Sequence, residues 1–167
     1  GVNSSGKSTL LKIIGGALAP TKGEVRYQTN LPREQLISFC SPEMHLLDDF
    51  TVKELFELHF EFKKPKISLA EQWEISQLMP FIHKRFEELS SGLQNKVKLS
   101  MALFADTSIL LLDEPCTNFD KENSEWYNTI ISTYCRDQLI VVASNQEIEY
   151  AFCEERINLY EYKKQKI

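Results

Sequence analysis

The chain opens on Gly1-Val2-Asn3-Ser4-Ser5-Gly6-Lys7-Ser8-Thr9, a Gly-x4-Gly-Lys-Ser spacing whose chemistry is known position by position. Small residues let successive backbone N–H groups curl around an anion, so Gly1, Asn3, Ser4, Ser5 and Gly6 read as a phosphate cradle. Lys7 places a point charge on the outer phosphates, and the Ser8 hydroxyl is the expected Mg2+ ligand. Thr9-Leu10-Leu11-Lys12-Ile13-Ile14 then reads as a helix whose positive end faces the anion. An ordinary Gly/Ser-rich turn is the competing reading. A phosphate-binding loop needs a strand feeding into it; the sequence starts at the loop, so the expectation is a fragment whose first strands are missing.

A second group, Ile109-Leu110-Leu111-Leu112-Asp113-Glu114-Pro115, is an apolar run ending in two acids. At the carboxyl edge of a parallel sheet that end lies beside the phosphate-binding loop. Asp113 is then placed to hold Mg2+, directly or through water. Glu114, one residue on, can orient and polarise an attacking water. A strand with acidic end-caps is the plain alternative. A third group, Ser90-Ser91-Gly92 at the start of a helix, presents N–H groups, a hydroxyl and a positive helix end. One domain has little use for two phosphate grips, whereas a dimer does: Ser90, Ser91 and Gly92 of one subunit can cap the nucleotide held by Lys7 of the other.

The elements that must position these groups are legible in outline. Glu24-Val25-Arg26-Tyr27-Gln28 alternates like a strand, and Leu36-Ile37-Ser38-Phe39-Cys40 reads as another. Pro42 to Asp49 reads as a loop. Thr51 and Glu54 form a capping-box pair before the apolar face of Leu55, Phe56, Leu58, His59 and Phe62, and Ser68 with Glu71 repeats the device. Lys63-Lys64-Pro65-Lys66 breaks the first of these two helices. A helix is expected from about Leu93 to Phe104 and a buried strand over Ser108 to Leu112. Then come a helix over Lys121–Arg136, a second buried strand over Leu139–Ala143, a short helix over Glu147–Phe152 and a last strand over Ile157–Tyr162. Strand–helix alternation at both ends around a mainly helical middle predicts an α/β domain over 1–167, with a helical insertion at roughly 50–100.

Bulk properties narrow the partners. A net charge of −5 over 167 residues offers no electrostatic footprint for nucleic acid. The basic cluster Lys163, Lys164 and Lys166 reads as a solvated tail, and no apolar run approaches the ~18–20 residues that cross a bilayer. Cys40, Cys116, Cys135 and Cys153 form no Cys-x2-Cys pair, which argues for reduced thiols rather than a zinc site. His45, His59 and His83 lack ligand spacing and read as surface or packing residues.

With these groups in order, the chain resembles the ATP-binding subunit of ATP-binding cassette (ABC) transporters along essentially its whole length. Leu89-Ser90-Ser91-Gly92-Leu93 matches the family's Leu-Ser-Gly-Gly-Gln signature, with Ser91 and Leu93 as departures. Thr117-Asn118-Phe119-Asp120 falls where the family has a loop along its dimer interface. The resemblance implies a phosphate-loop NTPase fold with a mainly parallel sheet and a signature-bearing helical insertion. It implies ATP and Mg2+ as ligands and a head-to-tail dimer with itself or a paralogous ATPase subunit. Hydrolysis would use Glu114 as base and drive a transmembrane permease from the cytoplasmic side. A phosphate-loop kinase has no use for the signature.

Two departures bear on catalysis. The family places a Gln after the strand corresponding to Ile37–Cys40; here that position is Pro42, followed by Glu43, so the side-chain contact is lost or passes to Glu43. The family's switch histidine is Asn145, which can hydrogen-bond a γ-phosphate but cannot become cationic. Slow turnover is therefore expected, and a nucleotide-gated regulatory subunit with weak hydrolysis is the main alternative. A soluble ABC ATPase acting on DNA or ribosomes would show heptad arms or a basic linker, neither of which is in the sequence.

Overall fold

The computed structural model describes residues 6–163; Gly1, Asn3, Ser4 and Ser5 of the expected cradle lie outside them. The chain runs α1 (Lys7–Ile14), α2 (Arg33–Leu36), β1 (Ile37–Cys40), α3 (Val52–Phe62), α4 (Leu69–Ile75), α5 (Ser91–Leu103), β2 (Ile109–Asp113), α6 (Lys121–Tyr134), β3 (Leu139–Ala143), α7 (Glu147–Tyr150) and α8 (Leu159–Lys163), with two single 3-10 turns between α4 and α5. The three strands form one parallel sheet in the order β1-β2-β3. Register pairs Cys40 with Leu112 and Asp113 with Ala143, so all three strands end at the same edge.

Because side chains alternate across a strand, the apolar run 109–112 of β2 serves both faces of the sheet. Leu111 packs with Leu11 of α1, Ile37 and Ala143 on one face. Leu110 and Leu112 pack with Leu99 and Leu103 of α5 and with Tyr127, Ile130 and Ile131 of α6 on the other. All three leucines are fully buried, as the continuous apolar run predicts. The result is a three-layer α/β/α arrangement. Between β1 and β2 the regular elements are helical, and they gather a core of their own around Phe56, Leu78, Phe86, Val97 and Met101.

The capping boxes form as read. Thr51 Oγ1 accepts from Glu54 N at 3.2 Å while the Glu54 carboxylate accepts from Thr51 N at 2.8 Å; Ser68 and Glu71 do the same at 3.3 and 3.0 Å. The lysine run after α3 does more than break a helix. Lys63 Nζ donates to the carbonyls of Glu34 and Ile37, the latter at 2.7 Å. Lys66 Nζ donates to Leu103 O and Tyr134 O, both at 2.8 Å, and to Gln138 Oε1 at 2.7 Å. It thereby caps the C-terminal ends of α5 and α6 together, where a cation is favoured by the helix dipoles.

Two expected strands are absent. Residues 24–28 form none; Val25 is exposed, while Tyr27 turns its hydroxyl onto the carbonyl of Ile14. Alternation marks a strand only where a neighbour takes up the backbone groups. Residues 157–162 also fail to form a strand, and Leu159–Lys163 is helical. Asn158 Oδ1 accepts from Tyr160 N at 3.2 Å, an Asx-type contact that starts a turn of helix and competes with extension. The short helix α2, ending in buried Leu36, is one the alternation pattern did not reveal. None of the described helices is long and apolar enough to cross a membrane.

Candidate functional site

Since β1, β2 and β3 are parallel and end together, the residues that follow them share one edge of the sheet: Ser41 to Glu43, Glu114, and Ser144 with Asn145. The N-terminus of α1 arrives at the same edge because Leu11 anchors the helix on Leu111 and Ala143. Gly6 makes the entry possible. Its φ of 94° is a left-handed conformation that a side chain would strain. Lys7 thus reaches Asn145, and its Nζ donates to Asn145 Oδ1 at 3.1 Å.

Ser8, on the first turn of α1, faces the carboxylate of Asp113 at the end of β2. Asp113 is buried, and its Oδ1 has no hydrogen-bond partner among the described residues. Burial pushes its pKa up; the Ser8 contact opposes that, while the negative charges of Glu114 and Glu43 add to it. An unpartnered buried carboxylate oxygen is costly on its own. A divalent cation would satisfy it, and hydroxyl plus carboxylate is the hard-oxygen donor set that Mg2+ takes. Ser8 and Asp113 therefore fit the ion expected from the sequence.

Glu114 adopts φ 42°, a left-handed conformation that costs a non-glycine residue energy and persists only where its surroundings impose it. Here its N–H donates to Ala143 O at 2.9 Å. Its carbonyl accepts from Thr117 N at 3.1 Å and Thr117 Oγ1 at 2.8 Å. The turn that presents Glu114 is held at both ends.

Ser90 caps α5, its hydroxyl accepting from Leu93 N at 3.4 Å, and Ser90 and Ser91 are exposed. Gly92 lies so close to the turn beyond β2 that a Cβ there would sit 3.0 Å from the carbonyl of Asn118, itself at φ 64°. Asn95 Nδ2 donates to Pro115 O at 2.8 Å and Thr117 O at 2.9 Å. Lys96 donates to Gln77 and Asn123 at 3.0 and 2.8 Å and lies 4.7 Å from the centre of the Trp126 ring. The structure thus brings Lys7, Ser8, Asp113 and Asn145 together. It ties Ser90–Gly92 to the 115–118 turn of the same chain.

Four contacts had no sequence signal. Glu43 pairs with Lys12 at 2.5 Å, and the Pro42 carbonyl accepts from Lys98 Nζ at 3.1 Å, so the segment after β1 is gripped from α1 and from α5. The fully buried Glu149 accepts from Cys116 N at 2.7 Å and from the Ser144 hydroxyl. Burial pushes its pKa up and both hydrogen bonds pull it down. In the sequence Glu149 looks no different from the exposed Glu147 two residues before it.

A cavity of about 1000 Å³ runs beside β3, lined by Leu10, Leu139, Val141, Phe152 and Ile157 among others. β3 is the last of the described strands in the order of the sheet, and the cavity lies between it and residues 150–160 rather than at the Ser8–Asp113 pair.

Comparison with known proteins agrees with this geometry. A family model described as ABC transporter matches residues 1–117. The thiamine import ATP-binding protein ThiQ of Escherichia coli O6:K15:H31 is 31% identical over 163 residues, covering 88% of this chain and 69% of ThiQ. The protein named "Probable ATP-binding protein YbiT" of Escherichia coli O157:H7 is 28% identical over 179 residues; 87% of this chain is covered but only 33% of YbiT. Among solved structures, the dimeric post-hydrolysis state of the ATP-binding cassette MJ0796 bound to ADP and Pi superposes with a TM-score of 0.71. It is 25% identical and covers 87% of this chain and 72% of that one.

Proposed function

The chain belongs to the ABC transporter family as an ATP-binding domain of the ATPase type, and on that premise we propose that it hydrolyses ATP within a head-to-tail dimer and drives transport through a separate membrane permease. The observation that carries the reading is the Ser8–Asp113 pair, with its unpartnered Asp113 Oδ1, on the sheet edge that also receives Lys7.

In this reading Lys7 and the loop before it hold the β- and γ-phosphates. Ser8 and Asp113 hold Mg2+, which neutralises phosphate charge when bound. Glu114 accepts a proton from a water as that water's oxygen bonds to the γ-phosphorus and the bond to the β–γ bridging oxygen breaks. Asn145 donates an amide hydrogen bond toward the γ-phosphate. Ser90, Ser91 and Gly92 of a second subunit close over the nucleotide, the exposure of Ser90 and Ser91 and the α5 N-terminus leaving them suited to an anion. The permease would hold the dimer on the cytoplasmic face of the membrane.

A second reading, nucleotide-gated regulation with weak hydrolysis, draws on two observations. Glu43 is engaged by Lys12 rather than turned to a metal, and Asn145 is neutral where a cationic switch residue would serve. The test is Glu114→Gln in the full-length protein. It should bind ATP normally, lose nearly all ATPase activity and accumulate as an ATP-dependent dimer on size exclusion. Full activity would remove Glu114 from the reaction, and a monomer at saturating ATP would remove the dimer.

A further inference from the structure

Glu149 is a carboxylate with no contact to solvent and no part in the chemistry above. Its two oxygens are used on different loops. Oε1 accepts from Cys116 N at 2.7 Å, two residues beyond Glu114, and Oε2 accepts from the hydroxyl of Ser144, the neighbour of Asn145. Its backbone is held as well: its carbonyl accepts from the fully buried Tyr127 hydroxyl at 2.9 Å, and its N–H donates to Gln146 O at 3.1 Å. Ser144 Oγ in turn accepts from Gln146 N at 2.8 Å. The turn after β2 and the turn after β3 are thereby joined through one side chain.

We propose that Glu149 is a positioning residue that fixes Glu114 and Asn145 relative to each other, so that the base and the switch residue meet the γ-phosphate as one unit. Stability alone is a poor reason for an acid at this point. Burying a carboxylate is expensive, and well-packed apolar residues often do as well or better. What a carboxylate offers here is two strong acceptors pointing to different loops, and hydrogen bonds to an ionised group are shorter and stronger than neutral ones. Ala143, whose carbonyl receives Glu114 N at 2.9 Å, also links the two turns, but it restrains the backbone at Glu114 rather than at Asn145. Misplacing a catalytic group by about 1 Å can cost about 100-fold in rate.

The inference rests on the roles proposed for Glu114 and Asn145, and the experiment separates the two. ATPase kinetics of full-length Glu149→Gln, Ser144→Ala and the double variant are compared with Lys66→Met, which disrupts helix capping far from the site. Glu149→Gln and Ser144→Ala should each lower kcat about tenfold with KM for ATP within about twofold of wild type. The double variant should be no worse than the poorer single one, because both remove one link. Lys66→Met should lower Tm while keeping kcat well below that Tm. If Glu149→Gln does not fold, Ser144→Ala carries the test alone. Wild-type kcat in the bridge variants, or multiplied losses in the double variant, overturns the proposal. Glu114→Gln assayed alongside tells which idea has failed: an inactive Glu114→Gln with fully active bridge variants sinks the bridge only, whereas an active Glu114→Gln sinks the base assignment.

Discussion

Lys7 Nζ donates a 3.1 Å hydrogen bond to Asn145 Oδ1, joining residues 138 positions apart across the mouth of the site. The contact orients the Asn145 amide: its oxygen meets the cation, and its nitrogen is the end able to donate to a phosphate. It also sets a competition, since the same ammonium is the one that phosphate oxygens must recruit.

Asn145→His should therefore raise kcat about tenfold with little change in ATP Kd. A neutral donor contributes ~0.5–1.5 kcal/mol and a charged one ~1.5–3, and ~1.4 kcal/mol is a factor of ten in rate. Ground-state grip belongs to Lys7 and the loop, so Lys7→Ala should lose most Mg-ATP affinity and less of the affinity for ADP. Steady-state ATPase assays and titration with a fluorescent ATP analogue check both. An unchanged or lower kcat in Asn145→His would mean the site is adapted to the amide.

Asp113→Ala should abolish the gain in ATP-analogue affinity that Mg2+ confers, while affinity in EDTA stays near wild type. The buried Oδ1 is costly unless something binds it, so the variant should also be no less stable than wild type in the absence of metal. Paired titrations with Mg2+ and with EDTA, and thermal melts, measure this. A Mg2+ effect of undiminished size would move the ion elsewhere.

His59 should make the fold acid-sensitive. Burial among α3 and α5 side chains, with Lys63 nearby, pushes its pKa from 6.5 down to about 4, and its Nε2 has no partner. The unfolded chain then binds a proton that the native chain does not between those two values. Stability from this group is full above pH 6.5 and falls as pH drops toward 4, by about 3 kcal/mol at the low end. Urea unfolding of wild type and His59→Phe across pH 4–7 isolates it: the difference in stability should grow in favour of the variant as pH falls. A pH-independent difference would show that His59 is protonated without penalty.

What the linear order of residues settled here is what short-range chemistry settles. The capping pairs Thr51/Glu54 and Ser68/Glu71 lie three residues apart and form on one turn. The apolar runs at 109–112 and Leu139–Ala143 both became strands, but only the first is buried; the second, at the end of the sheet, is exposed at Leu139 and partly buried over 140–142. The Gly6-Lys7-Ser8 and Asp113-Glu114 groups could be read as phosphate chemistry from type and spacing alone. The tertiary structure decided the rest. It withheld strand structure from 24–28, where alternation is present, and made a helix of 159–163, because a strand depends on a neighbour's backbone that local pattern does not contain. It turned Lys63 and Lys66 from helix breakers into caps on carbonyls up to 68 residues away. It gave Glu149 and not Glu147 the task of joining two loops. Each of these outcomes depends on which distant groups the sheet and helices bring within hydrogen-bonding reach, a property of the packed chain and not of any one segment.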